Sequence, residues 1–122
     1  MPMSIRPPKQ LSDAAQDPLA AALQHEAMAE KAGTLARLTG KLEAALAALA
    51  ETEARLAAAG DDVPRLEARR EERLALAGEA LWHVVIQREL CGLRRHGAFL
   101  DHMGVPKPVR LRMGPAVIPA KG

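Results

Sequence analysis

Aromatic residues are nearly missing from this chain, which holds one Trp, one Phe and no Tyr among 122 residues. It therefore has little to stack on nucleic-acid bases, and its apolar interior must come from smaller groups. Cysteine is as scarce. A single Cys91 excludes an internal disulfide, and a cytoplasmic protein is the default expectation. No apolar run approaches the ~18 residues needed to span a bilayer, so no membrane partner is expected. The opening Met1-Pro2-Met3-Ser4-Ile5-Arg6-Pro7-Pro8 lacks the apolar stretch of a secretory signal. No glycine-rich phosphate loop occurs either; the nine glycines are scattered.

Hydrophobic residues nevertheless make up 48 % of the chain. Most are Ala and Leu, two of the strongest helix formers. One long helix is predicted from Pro18 to Ala59. Asp17 suits its N-cap, Pro18 its first turn, and Gly60 supplies a left-handed residue to close it. Its 42 residues would reach about 63 Å. Within it Met28, Leu35, Leu42, Leu49 and Leu56 fall seven apart and form one stripe in the manner of a coiled coil. The opposite column reads Gly33, Gly40, Ala47, Ala54. Small residues there would let another helix dock closely; the plainer reading, which we prefer, is an alanine-built helix that tolerates two glycines.

A second helix is predicted from about Pro64 to His96, capped by Asp61 or Asp62. The turn between the two is short, so they should run antiparallel as a hairpin. Leu66, Leu74, Ala77, Leu81, Val84 and Cys91 form the facing stripe. Folding at Gly60–Val63 sets Leu66 near Leu56, Leu74 near Leu49 and Leu81 near Leu42. The charged run Arg65, Glu67, Arg69, Arg70, Glu71, Glu72 and Arg73 reads as a solvated face, with weak pairing of Glu67 with Arg70 and Arg69 with Glu72.

Trp82, Ile86, Leu90 and Leu93 form a further apolar stripe. A helix with one partner has no use for two such faces. Either the C-terminal segment covers it or a second copy of the chain does; we favour the segment. There Phe99, Leu100 and Met103 belong to a short helix bounded by Gly97 and Gly104, followed by apolar residues among prolines. The resulting organisation is a flexible arm over 1–16, an all-α hairpin domain over 17–114 with its C-terminal segment packed on the open end, and a tail over 115–122.

Chemistry is thin. His83, His96 and His102 lack metal-site spacing, Cys91 has no activating base beside it, and no cofactor is implied. An enzyme would rest on Trp82–Arg95 alone, so we expect none. Arg88 points at the hairpin seam, either to snorkel to its edge or to be paired, for example with Glu30 or with a carbonyl at a helix end. Charge is asymmetric. Residues 88–122 carry Arg88, Arg94, Arg95, Lys107, Arg110, Arg112 and Lys121 against Glu89 and Asp101, a net of +5, whereas residues 1–87 carry −3.

Two function classes follow. The first is a non-enzymatic interaction or structural protein that self-associates, a homodimer being one form, with Gly33, Gly40 and Trp82 as contact candidates. The second, less favoured, is an accessory protein binding nucleic acid or another anion through Arg88, Arg94, Arg95, Lys107, Arg110 and Arg112.

Glu30-Lys31-Ala32 through Lys41-Leu42-Glu43-Ala44-Ala45-Leu46 is similar to stretches of small, uncharacterised bacterial helical proteins. So are Glu79-Ala80-Leu81-Trp82-His83, Gln87-Arg88-Glu89, Cys91-Gly92-Leu93-Arg94, Val105-Pro106 and Arg112-Met113-Gly114. The resemblance covers roughly residues 20–114. It implies a family of unknown function and assigns no catalytic or binding residue.

Overall fold

The computed structural model describes residues 17–118. The arm assigned to 1–16 and the last four residues of the tail, with Lys121, lie outside them. Four helices follow in order: α1 (Pro18–Ala57), α2 (Val63–Leu90), α3 (Gly97–Met103) and α4 (Lys107–Leu111). The described residues contain no strand.

α1 begins as its sequence dictates. Asp17 is the N-cap, and its Oδ1 accepts from the Leu19 amide at 3.0 Å. This satisfies one of the donors that a helix start leaves open. The helix runs 40 residues, about 60 Å, and packs along the 28 residues of α2. The anticipated register holds. Leu42, Leu49, Leu74, Ala77, Leu81 and Val84 make one buried cluster, and Arg70 Nε meets Glu53 Oε2 across the hairpin at 3.1 Å. That cross-hairpin pair takes the place of the local pairs expected within the charged run.

The C-terminal ends of both long helices correct the sequence reading. Gly60 does not adopt a positive φ; α1 closes instead on Ala58, with φ −98°. α2 stops at Leu90 and not at His96. Gly92 turns left-handed at φ +87°, the Gly92 amide donates to Glu89 O at 3.0 Å, and the Leu93 amide donates to Arg88 O at 2.9 Å. This crossed pair of bonds is the Schellman closure, which stops a helix by satisfying its last carbonyls. α3 closes in the same way. Gly104 takes φ +66° and the Val105 amide donates to Leu100 O at 3.0 Å.

The segment after α3 turns back along α2. Val105 and Val109 are buried in the hairpin core, and Phe99, Leu100 and Met103 pack against it. The route reaches mid-helix, beyond the open end. Arg112 Nη2 pairs with Glu71 Oε2 at 2.6 Å, and the Ala116 amide donates to Glu79 Oε2 at 3.0 Å. The segment therefore covers the Ala75–Gly78 face of α2. It does not bury the stripe it was expected to cover: Ile86, Leu90 and Leu93 stay exposed, and Trp82 is half-buried. Ile86 follows Ala75 by eleven residues, close to three turns, so it lies on the same face about 16 Å further toward the open end, past the stretch that the segment covers.

Candidate functional site

The open end of the hairpin gathers most of the residues singled out by sequence. Gln87 Nε2 donates to Lys31 O at 3.1 Å, marking where α2 runs out beside α1. Pro18–Glu30 continues past that point for about 20 Å. Every residue from Ala21 to Gly33 is exposed, and so are Leu19 and Leu23.

At the end of α2, Arg88 is held from three sides. Its Nε donates to His96 Nδ1 at 3.0 Å, its Nη2 donates to Arg95 O at 2.9 Å, and its guanidinium lies 4.2 Å above the Phe99 ring. The anticipated carbonyl partner is there; Glu30 is not used. A guanidinium only donates, so His96 Nδ1 accepts and the ring proton sits on Nε2, facing Glu89 Oε2 at 3.1 Å. The chain Arg88–His96–Glu89 thus spends both ring nitrogens on holding the post-helix turn. This knot is a clasp between α2 and α3.

The other expected residues are dispersed. Gly33 and Gly40 face outward with room to spare, since a Cβ at Gly40 would meet nothing within 4 Å. Trp82 stacks obliquely on His83, centroids 5.3 Å apart. Arg110 donates to Val105 O at 2.9 Å and pairs with Asp101 at 3.0 Å, so it locks the α3–α4 corner. Arg112 is tied to Glu71, while Arg94, Arg95 and Lys107 project from the surface.

Cys91 caps α2, half-buried, and is not the core residue its spacing suggested. His83 lines a shallow groove with Leu38, Lys41 and Glu79, which neither Arg88 nor Cys91 joins. Among the described residues no three His, Cys, Asp or Glu side chains come together as a metal site would require. None of the described helices is long and apolar enough to cross a membrane.

Over residues 3–120 the chain matches a family of unknown function, DUF6665. It belongs to that family. No curated protein and no solved structure matches it. Membership in DUF6665 lends no residue a role, so a functional reading of this member stands on its own geometry. One part of that geometry was missed in the sequence. The charged run of α2 is not wholly solvated: Arg73 is half-buried, and its Nε is shut off from water. Only the antiparallel partner helix, invisible to local spacing, puts it there.

Proposed function

We propose that this member of DUF6665 is a non-enzymatic helical interaction module that acts in the cytoplasm and self-associates through the overhang of α1. The observation that carries this is the overhang's composition against its exposure. Between Asp17 and Glu26 there is no acidic or basic side chain except His25, and Leu19, Leu23 and Met28 all stand in solvent. Leu19 and Leu23 lie on the side of α1 opposite Met28, with alanines filling the angles between. The overhang thus offers uncovered apolar side chains on two faces, interrupted by His25, Glu26 and Glu30, and such a surface is one that a partner helix takes. About 13 residues of isolated helix are also only marginally stable in water, so a cover supplies stability that the sequence alone does not.

A second copy is the occupant that fits best. Two such overhangs match in length, and an antiparallel arrangement keeps Glu26 and Glu30 of one copy apart from those of the other, level with Ala22 and Pro18. Laid antiparallel about Gln24, they set Asp17 of one copy level with Lys31 of the other, and Met28 level with Ala20. Exposed Ile86, Leu90 and Leu93, at the same end, extend the apolar surface on offer.

Sedimentation equilibrium over a wide concentration range tests the proposal. The expected result is a reversible dimer that Leu19→Asp with Leu23→Asp returns to monomer while helicity is largely kept. A wild-type chain that stays monomeric at the highest concentration sinks it. The alternative, a nucleic-acid or anion accessory built on residues 88–122, has weaker support. Arg88, Arg110 and Arg112 spend their donors inside the chain, which leaves fewer free cations on that surface.

A further inference from the structure

At the other end of the hairpin, beside the turn, α1 and α2 part to leave a cleft of about 190 Å³. Its wall on α2 is a ridge of Arg65, Arg69 and Arg73, spaced four apart so that all three guanidiniums rise from one face. Arg55 and Thr52 line the facing wall on α1. Two carboxylates also border the cleft, and each is matched to an arginine on its own element. Glu51 pairs with Arg55 at 3.2 Å, and Asp62 lies 3.7 Å from Arg65. Those pairs are well exposed and hence weak. Arg69 and Arg73 have no acidic partner within ion-pairing distance among the described residues, so the cleft holds a surplus of two positive charges.

Two further features add to the positive potential of the cleft. Arg73 Nε is buried and, among the described residues, has no hydrogen-bond partner. A buried donor left unmade costs free energy, and a guanidinium donor costs more than a neutral one. Asp62, moreover, is the N-cap of α2 yet its side chain caps nothing. The positive end of the α2 dipole lies at the turn end of the cleft, about 9 Å along the helix from Arg69.

We infer that this cleft binds a small oxyanion of the phosphate type, held in the forks of Arg69 and Arg73. Guanidinium groups offer paired, coplanar donors that match the oxygens of phosphate, which a spherical anion such as chloride cannot use. The ligand's two negative charges neutralise the surplus, and its oxygens take the terminal Nη donors of Arg69 and Arg73. The Thr52 hydroxyl, which lines the cleft and donates to Ala48 O at 3.0 Å, keeps acceptor capacity for an arginine or a water around the anion.

The test is titration of the full chain with inorganic phosphate at constant ionic strength, followed through backbone and arginine Nε–H resonances. Chloride, glycerol phosphate and a short DNA duplex are the other probes. Saturable phosphate binding is expected, with shifts at Arg69, Arg73 and Thr52 and none for chloride. Arg69→Gln, at an exposed position, should weaken binding by about tenfold without disturbing the fold; Arg73→Gln should do at least as much. Glycerol phosphate binding more tightly than phosphate identifies a phosphorylated small molecule, and equal binding identifies the free anion; either upholds the site. Identical responses to phosphate and chloride, binding undiminished in both variants, or binding of the duplex alone would overturn it. The cleft lies at the opposite end of the hairpin from the overhang, so this inference and self-association fail separately.

Discussion

The backbone of Arg112 occupies the space that a side chain at Gly78 would need. A Cβ built on Gly78 would sit 2.4 Å from Arg112 O and 2.8 Å from its carbonyl carbon. Glycine in the middle of α2 is thus the seat of the returning segment, and the contact is backbone on backbone.

Gly78→Ala should therefore destabilise the chain by about 1–3 kcal/mol, as overpacking of a closed contact does. Gly40→Ala is the control. Nothing lies within 4 Å of its Cβ, so the helix-propensity gain of about 0.5–1 kcal/mol should appear as a higher Tm. Thermal unfolding by circular dichroism separates the two. A stabilised Gly78→Ala would mean that the segment does not sit on α2. If Gly40 were instead the seat of a docked helix, Gly40→Ala would weaken self-association.

Arg88→Lys should cost about 2 kcal/mol despite keeping the charge, because an ammonium cannot reach His96, the Arg95 carbonyl and the Phe99 face together. Urea unfolding would register it as a lower midpoint. Phe99→Leu in the same background should then cost less than it does in the wild-type chain, since the ring has already lost its cation. Strictly additive effects would remove the stacked contact from the account.

The parts of the fold that were readable share one property: their causes are local. Asp17-Pro18 started α1, Gly97 and Gly104 bounded α3, and the seven-residue stripes set the hairpin register. The end of α2 was also local, in Cys91-Gly92, but the apolar spacing through Leu90 and Leu93 outweighed it in the sequence reading. Other features depend on residues far apart in the chain. Glu71 meets Arg112 and Glu79 meets the Ala116 amide only after the segment has folded back. Nothing in the helical period of α2 says which face such a segment takes. Arg73 is hidden for the same reason, because a charge run looks solvated until the second helix lies against it. Gly33, Gly40 and Trp82 were sensible contact candidates from spacing alone. The overhang's exposed Leu19, Leu23 and Met28 stand out only once the structure shows where α2 ends.

Gly92→Ala should cost about 1–2 kcal/mol, since its φ of +87° is strained for any residue with a Cβ. Gly60→Ala should be nearly silent, because Gly60 has ordinary φ and open surroundings. Comparing their denaturation midpoints checks which glycine acts as a helix stop. Hydrogen exchange adds a finer reading. Gly92→Ala should loosen the Leu93 amide, which closes α2 onto Arg88 O, before it affects Leu74 or Leu81.

Amide exchange along α1 tests the overhang residue by residue. Leu42 and Leu49 lie in the buried core, so amides there should open only with global unfolding. Residues 21–30 are all exposed, so little resists fraying there, and a monomer should exchange those amides orders of magnitude faster. If two overhangs pair, raising the protein concentration should slow exchange in residues 19–30 by the factor that the dimerisation constant predicts, and leave Leu42 unchanged. Concentration-independent protection across that stretch would instead mean that the chain covers its own overhang, and self-association would lose its main support.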